Sequence, residues 1–414
     1  MRGLPQKQNA RRAYKIRLCG HLRRYKKIVK KTYIILIKCS IHKENIDVQQ
    51  YCALSQKEKE QLFQLCSKHS ISVIVGDVLG KSKMIEKTLD VKKLINESFM
   101  SVYRYEQSQT EIKKITHVLT ELKIPYILLK GPRVRKYYPE PWLRTSCDID
   151  ILIHEEDLDL AINGLVEKCS YKKQERNYHD VPLVSPNNIL LELHFNIKEN
   201  MDNLDKVLIK VWDYSSPMNK DNCLEYEQSN EFFLFHLLAH TAYHFQHGGC
   251  GIRSILDLYL IHHQMPYNNE KLRMLCREAK IETFYEYVIQ LSEVWFGECS
   301  HTPVTSAMEE YILHGGTYGT KDNSIAMDQT RQNGGHARYI RGRIFMPYGT
   351  LKIKYPILER HKYLTPVYQV VRWGKMLSSG KFKKYIAELH LSKRINQEQL
   401  DSAEKLLEAL KLKF

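Results

Sequence analysis

Three carboxylates stand out for the chemistry they could do. Asp148 and Asp150 alternate with apolar residues in the run Asp148-Ile149-Asp150-Ile151-Leu152-Ile153, and alternate side chains of a strand share one face. Two carboxylates on one face repel each other unless a cation sits between them, and a divalent metal is the natural occupant. The third acid, Glu192, lies in Leu190-Leu191-Glu192-Leu193-His194, where an unpaired charge among apolar neighbours is costly. Three acids converging from two strands could hold two metal ions about 3.5 to 4 Å apart, activating an attacking hydroxyl and neutralising a leaving phosphate. The structural alternative for Glu192 is an ion pair with an arginine such as Arg144.

Upstream of the acids, Lys130-Gly131 follows the apolar run Tyr126–Leu129. A strand that turns into a helix presents backbone N–H groups to a phosphate, and glycine permits close approach. Lys130 adds a cation, and Arg133, Arg135 and Arg144 add guanidinium groups suited to triphosphate oxygens. The spacing is not that of a P-loop. Downstream, His236, His240, His244 and His247 share one helix face. Such a stripe could ligate zinc, but it lacks a second anchored ligand pair, which favours a cleft-lining role. Arg253 and Asp257 stand at i, i+4 spacing, as an intrahelical ion pair or as a nucleotide or acceptor contact. Arg338, Arg341, Arg343, Lys352 and Lys354 form a further basic cluster, either a solvated face or a phosphate contact.

The elements that must position these groups alternate in type over residues 123–200. The pattern predicts strands at 126–129 and 147–153, a short helix near 132–138 and a helix at 155–169. Further strands near 171–175, 179–184 and 189–195 complete a small mixed sheet. Before this core, Ser55-Gln56-Lys57-Glu58 has capping-box spacing, and helical periodicity runs from about 85 to 122. After it, helices are expected at 230–245, 252–263, 269–296, 306–313, 367–377 and 396–411. A polar, glycine-containing section at about 315–336 separates some of them. The predicted class is α+β, with a basic, flexible tail at 1–45, an N-terminal helical region at 46–122, a core at 123–200 and a mainly helical domain at 201–414.

The net charge of +16 is concentrated: Met1–Lys43 holds fourteen Lys or Arg and no acid, so the other 371 residues are close to neutral. That argues against a nucleic-acid-binding body. The tail is read as a solvated leader, with a tether to anionic lipid or nucleic acid as the alternative. Its apolar patch, Tyr33–Ile37, is too short to span a bilayer. Ten scattered cysteines without a C-x-x-C pair fit a reduced cytoplasm.

The order Leu128-Leu129-Lys130-Gly131, then Asp148-Ile149-Asp150-Ile151-Leu152, then Leu191-Glu192-Leu193-His194-Phe195 resembles the uncharacterised nucleotidyltransferases of the DNA polymerase β-like superfamily. Tyr138-Pro139 and Arg144 match that family's own variant, and the likeness extends through Arg104–Gln107, His244–Leu260 and Arg343–Leu358, about residues 50 to 380 in all. The resemblance implies a small mixed-sheet core of polymerase β-like type flanked by helical regions. It implies transfer of a nucleoside monophosphate from an NTP such as ATP to an unidentified hydroxyl-bearing acceptor, a small molecule, protein or nucleic acid, with release of pyrophosphate. Asp148, Asp150 and Glu192 would hold two Mg²⁺ ions, with Mn²⁺ as an alternative. Lys130, Gly131, Arg133 and Arg144 would contact the nucleotide, and His240, His244 and Arg253 would line the acceptor cleft. Pro132 stands where the superfamily usually has serine, and proline has no N–H to donate. The rival reading is a degenerate member that binds nucleotide or protein without chemistry.

Overall fold

The computed structural model describes residues 27–43, 49–218, 223–317, 319–331, 335–378, 380, 382–395 and 397–412. They fall into two compact units, Met1–Tyr105 with Tyr138–Thr145, and Glu106–Tyr137 with Ser146–Phe414.

The first unit is helical. The Ser55 capping box forms: Glu58 N donates to Ser55 Oγ, and Ser55 N donates to Glu58 Oε2 at 2.8 Å, opening the helix Gln56–Lys68. Leu62 and Cys66 on its inner face are fully buried. The helix Ser72–Lys81 crosses the start of the long helix Leu89–Glu121 at Gly76, where an added Cβ would lie 2.1 Å from the Leu94 carbonyl oxygen. Residues 27–42 are also helical, with Tyr33, Leu36 and Ile37 fully buried. Over residues 27–42 this differs from the expected flexible tail, because the apolar patch packs on one helix face. Residues 1–26 lie outside the described residues.

The second unit is built on a seven-stranded mixed sheet. Its strands are β1 (Tyr126–Leu128), β2 (Asp148–Ile153), β3 (Lys172–Lys173), β4 (Asp180–Val184), β5 (Leu190–His194), β6 (Ser215–Pro217) and β7 (Glu225–Gln228), in the order β3-β4-β5-β2-β1-β7-β6. β2 lies antiparallel to β1 and parallel to β5. Alternation decides the two faces. Ile149, Ile151 and Ile153 of β2, with Leu191 and Leu193 of β5, pack against Ile115, Val118 and Leu119 of the long helix and against the helix Leu158–Cys169. The acids of both strands therefore project from the opposite face.

The sheet extends past residue 200, the expected end of the core. β7 pairs in parallel with β1, Tyr126 opposite Glu225, and β6 pairs with β7. Both strands are short and polar, without the alternation that marks a half-buried strand. The polar section at about 315–336, expected to separate helices, itself contains the helix Lys321–Arg331 with Ile325 and Met327 buried. The helix Asn230–Gln246 ends at Gly248 and Gly249, whose φ angles of 130° and 135° suit glycine. Among the described residues, no helix is long and apolar enough to cross a membrane.

Candidate active site

The register of β2 against β5 sets Asp150 directly beside Glu192, with Leu152 beside His194 and Asp148 beside Leu190. One ligand atom from each of Asp150, Glu192 and His194 lies within 4.8 Å of the others. Between them His194 Nε2 is 3.3 Å from Asp150 Oδ1 and 3.6 Å from Glu192 Oε2. Burial opposes ionisation of Asp150, yet the His194 hydrogen bond and the Lys130 ammonium outweigh it and hold the carboxyl well below its usual range. Burial likewise opposes protonation of His194, and its bonds to Asp150 and Glu192 overcome that and raise its pKa. Its Nε2 thus lies between two carboxylates that favour its protonated form, and a metal ion bound there would take the place of that proton. Its Nδ1 is buried without a hydrogen-bond partner, and its ring stacks on His179 at 5.1 Å.

A second group of polar side chains surrounds Lys130. This residue follows β1 with a φ of 25°, a strained backbone for a side chain with a Cβ. Its ammonium lies 3.2 Å from His240 Nδ1. Glu199 Oε1 is 2.7 Å from the same nitrogen, and His244 Nε2 is 3.0 Å from His240 Nε2. With Nδ1–H donated to the Glu199 carboxylate, His240 turns its Nε2 toward His244. Glu199 is buried, which opposes its charge, but His240 and Lys130 bring its pKa down to about 2. Burial and His240 push His244 down to about 3, so it is neutral. On the mostly buried helix Asn230–Gln246, His240 and His244 are only half-buried, which fits a stripe open to a cleft. His236 on the same helix is buried and faces Gln228.

Two acids, one imidazole and a lysine in one site can hold a divalent cation and an anionic substrate. The set Asp150, Glu192 and His194 fits one such ion, since ligands about 2.1 Å from a common centre lie up to about 4.2 Å apart. A profile of the uncharacterised nucleotidyltransferase family matches residues 55–297, more than half of the chain. The chain belongs to that family.

The family match covers the whole sheet and the histidine-bearing helix Asn230–Gln246, so every side chain of the site described above lies within it. Among solved structures, the antibiotic-resistance factor ANT(2'')-Ia is similar over 44% of this chain and 98% of its own, at 16% identity and a TM-score of 0.32. No curated protein matches the sequence.

Within this chain, the residues singled out from sequence separate into those the fold brings together and those it does not. Asp150, Glu192, Lys130, His240 and His244 converge. Asp148 shares the face of Asp150 but stands outside the 4.8 Å cluster, its Oδ1 accepting from Ser146 Oγ at 2.7 Å. Gly131 opens the five-residue helix Gly131–Arg135, too short to offer a row of free N–H groups. Arg133 is a correction. Its guanidinium is buried, donating to Gln228 O and Asn230 Oδ1 at 2.6 Å each, pairing with Glu227 and lying 4.1 Å over the Phe233 ring. These contacts occupy its donors and tie β7 to the next helix, so it is not free for a nucleotide. Arg144 belongs to the first unit. Arg253 is half-buried on the helix Ile252–Gln264, and Asp257 one turn on is buried. Sequence reasoning missed the roles of His194 and Glu199. His194 carried a signal, since it shares the i, i+2 face of β5 with Glu192; Glu199 lies in a loop with no periodicity to mark it.

Proposed function

We propose that the chain transfers a nucleoside monophosphate from an NTP to a hydroxyl-bearing acceptor and releases pyrophosphate. The observation that carries this reading is the pairing of Asp150 with Glu192 on adjacent parallel strands, inside a chain of a nucleotidyltransferase family. Asp150, Glu192 and His194, with Asp148 one pair along, would hold Mg²⁺, or Mn²⁺ given the imidazole donor. Bound there, the ion supplies charge neutralisation for the phosphates and lowers the pKa of a coordinated hydroxyl.

The chain's own residues account for the remaining tasks. Lys130 lies between the two polar groups, where its ammonium can offset charge on the triphosphate. With Pro132 unable to donate and Arg133 engaged, Lys130 is the phosphate contact this turn retains. The acceptor oxygen attacks the α-phosphorus, and the bond to the β-phosphate bridge breaks as pyrophosphate leaves. The acceptor's proton passes to the Glu199–His240–His244 group, where the ionised Glu199 offsets the added positive charge. Incubating the protein with labelled NTPs, Mg²⁺ and fractionated cell extract should label an acceptor and release pyrophosphate, and Asp150→Asn should abolish both. Unchanged release in that variant would overturn the mechanism. The binding-only reading draws on the burial of Arg133 and on Pro132; it expects NTP binding without pyrophosphate.

A further inference from the structure

The helix Thr365–Ser378 carries its polar residues inward and its apolar residues outward. Gln369 and Arg372 are its buried residues. Gln369 Nε2 donates to Met346 O, and its Oε1 accepts from Met346 N at 3.3 Å. Arg372 donates to the carbonyls of Arg343 and Ile344, and Trp373 Nε1 donates to Ile344 O at 2.9 Å. These bonds fix the rotation of the helix, because turning it would leave buried donors and carbonyls unpaired. The opposite face then has no freedom to hide. Val367, Val370, Val371 and Leu377 are 55%, 60%, 38% and 59% exposed. Their spacing of i, i+3, i+4 and i+10 makes one continuous stripe.

The surroundings of the stripe are cationic. The helix Tyr348–Lys354 and the turn Lys362–Leu364 pack on Thr365–Ser378, and the short helix Ile357–Arg360 packs on that turn. They bring exposed Lys354, Arg360 and Lys362 beside exposed Ile357 and Tyr363, and Lys375 is exposed on the helix itself. Residues 338–378 carry nine Lys or Arg and a single acid, Glu359.

We propose that this face docks on an anionic lipid bilayer surface. The aliphatic stripe enters the interfacial layer, and Lys354, Arg360, Lys362 and Lys375 face the acidic headgroups. Charge and apolarity together choose the occupant. A second copy joined about a two-fold axis would bring like charges together. A nucleic acid would satisfy the cations but offer the valines nothing. An anionic bilayer satisfies both, in the manner of an amphipathic helix lying in the interface plane.

The test is flotation of the full chain with phosphatidylcholine vesicles, alone or with about 30% phosphatidylserine, a mixture with the negative surface potential that basic segments sense. Binding to the anionic vesicles alone is expected. Val370→Asp with Leu377→Asp, and separately Lys362→Glu with Lys375→Glu, should each lower partitioning by about tenfold or more, because both attractions are needed for stable docking. All four positions are exposed, so the melting temperature should hold. Should the aspartates unfold the chain, Val370→Ser with Leu377→Ser removes the apolar area without adding charge. Four outcomes overturn the proposal. One is the absence of flotation, and another is flotation that survives the stripe substitutions. The others are a stripe-dependent dimer by light scattering, and salt-sensitive nucleic-acid binding without vesicle binding.

Discussion

At the scale of single residues, the site divides by what each side chain already holds. Glu199 holds His240 Nδ1 and sits near Lys130, and its pKa is brought down to about 2. Its unfolded value is about 4.3. A group with a depressed folded pKa stabilises fully above its unfolded value, and that stability is lost as pH falls through the folded value. Glu199→Gln should therefore cost about 1 to 3 kcal/mol at neutral pH in denaturant titrations, since it leaves the half-buried His240 donor poorly matched. The difference from wild type should vanish between about pH 4.3 and 2; a constant difference across that range would contradict the role given to this carboxylate. Arg133 makes the opposite case. Arg133→Ala should lower stability by about 2 to 4 kcal/mol through lost buried hydrogen bonds, with the NTP affinity of the folded protein unchanged. A selective loss of NTP affinity would restore it to the nucleotide site. From sequence, the acids of β2 were legible because strand alternation gives a carboxylate among isoleucines a direction. Arg133 was misread because nothing local tells a buried guanidinium from a free one; its partners at Gln228 and Asn230 lie nearly a hundred residues away.

At the scale of elements, the parts that were legible are those whose local signal and tertiary role agree. The capping box at Ser55 and the helix Leu158–Cys169 form where expected, and β1, β2, β4 and β5 lie within the ranges read from alternation. β6 and β7 were not legible. Glu225–Gln228 is extended because β1 offers it a free edge, Ser215–Pro217 because β7 then offers another, and only the tertiary fold supplies those edges. The helix Thr365–Ser378 was placed correctly, but its facing is the reverse of the usual rule, since its polar residues are held by backbone carbonyls. Gly76 shows a contact that only glycine permits. Gly76→Ala would drive a Cβ against the Leu94 carbonyl, and the expected loss is about 1 to 3 kcal/mol by thermal or denaturant unfolding. An unchanged midpoint would mean that the two helices can separate freely at this crossing.

At the scale of the whole molecule, the helical N-terminal unit and the sheet-bearing unit are each compact, and the candidate site lies in the second. Tyr33, Leu36 and Ile37 place residues 27–42 in the first unit's core. Removing residues 1–43 should therefore destabilise the chain by at least about 3 kcal/mol, the scale of losing several buried side chains. A melting temperature equal to that of the full chain would return the segment to the status of a leader. The second unit holds the site, and its central claim is that Asp150 and Glu192 form the metal-dependent seat of an NTP. Calorimetric titration of NTP with and without Mg²⁺, on wild type and Asp150→Asn, tests that claim without needing the acceptor. Binding should require Mg²⁺ and weaken by about tenfold or more in the variant. Binding indifferent to Mg²⁺, or equal in the two proteins, would contradict it.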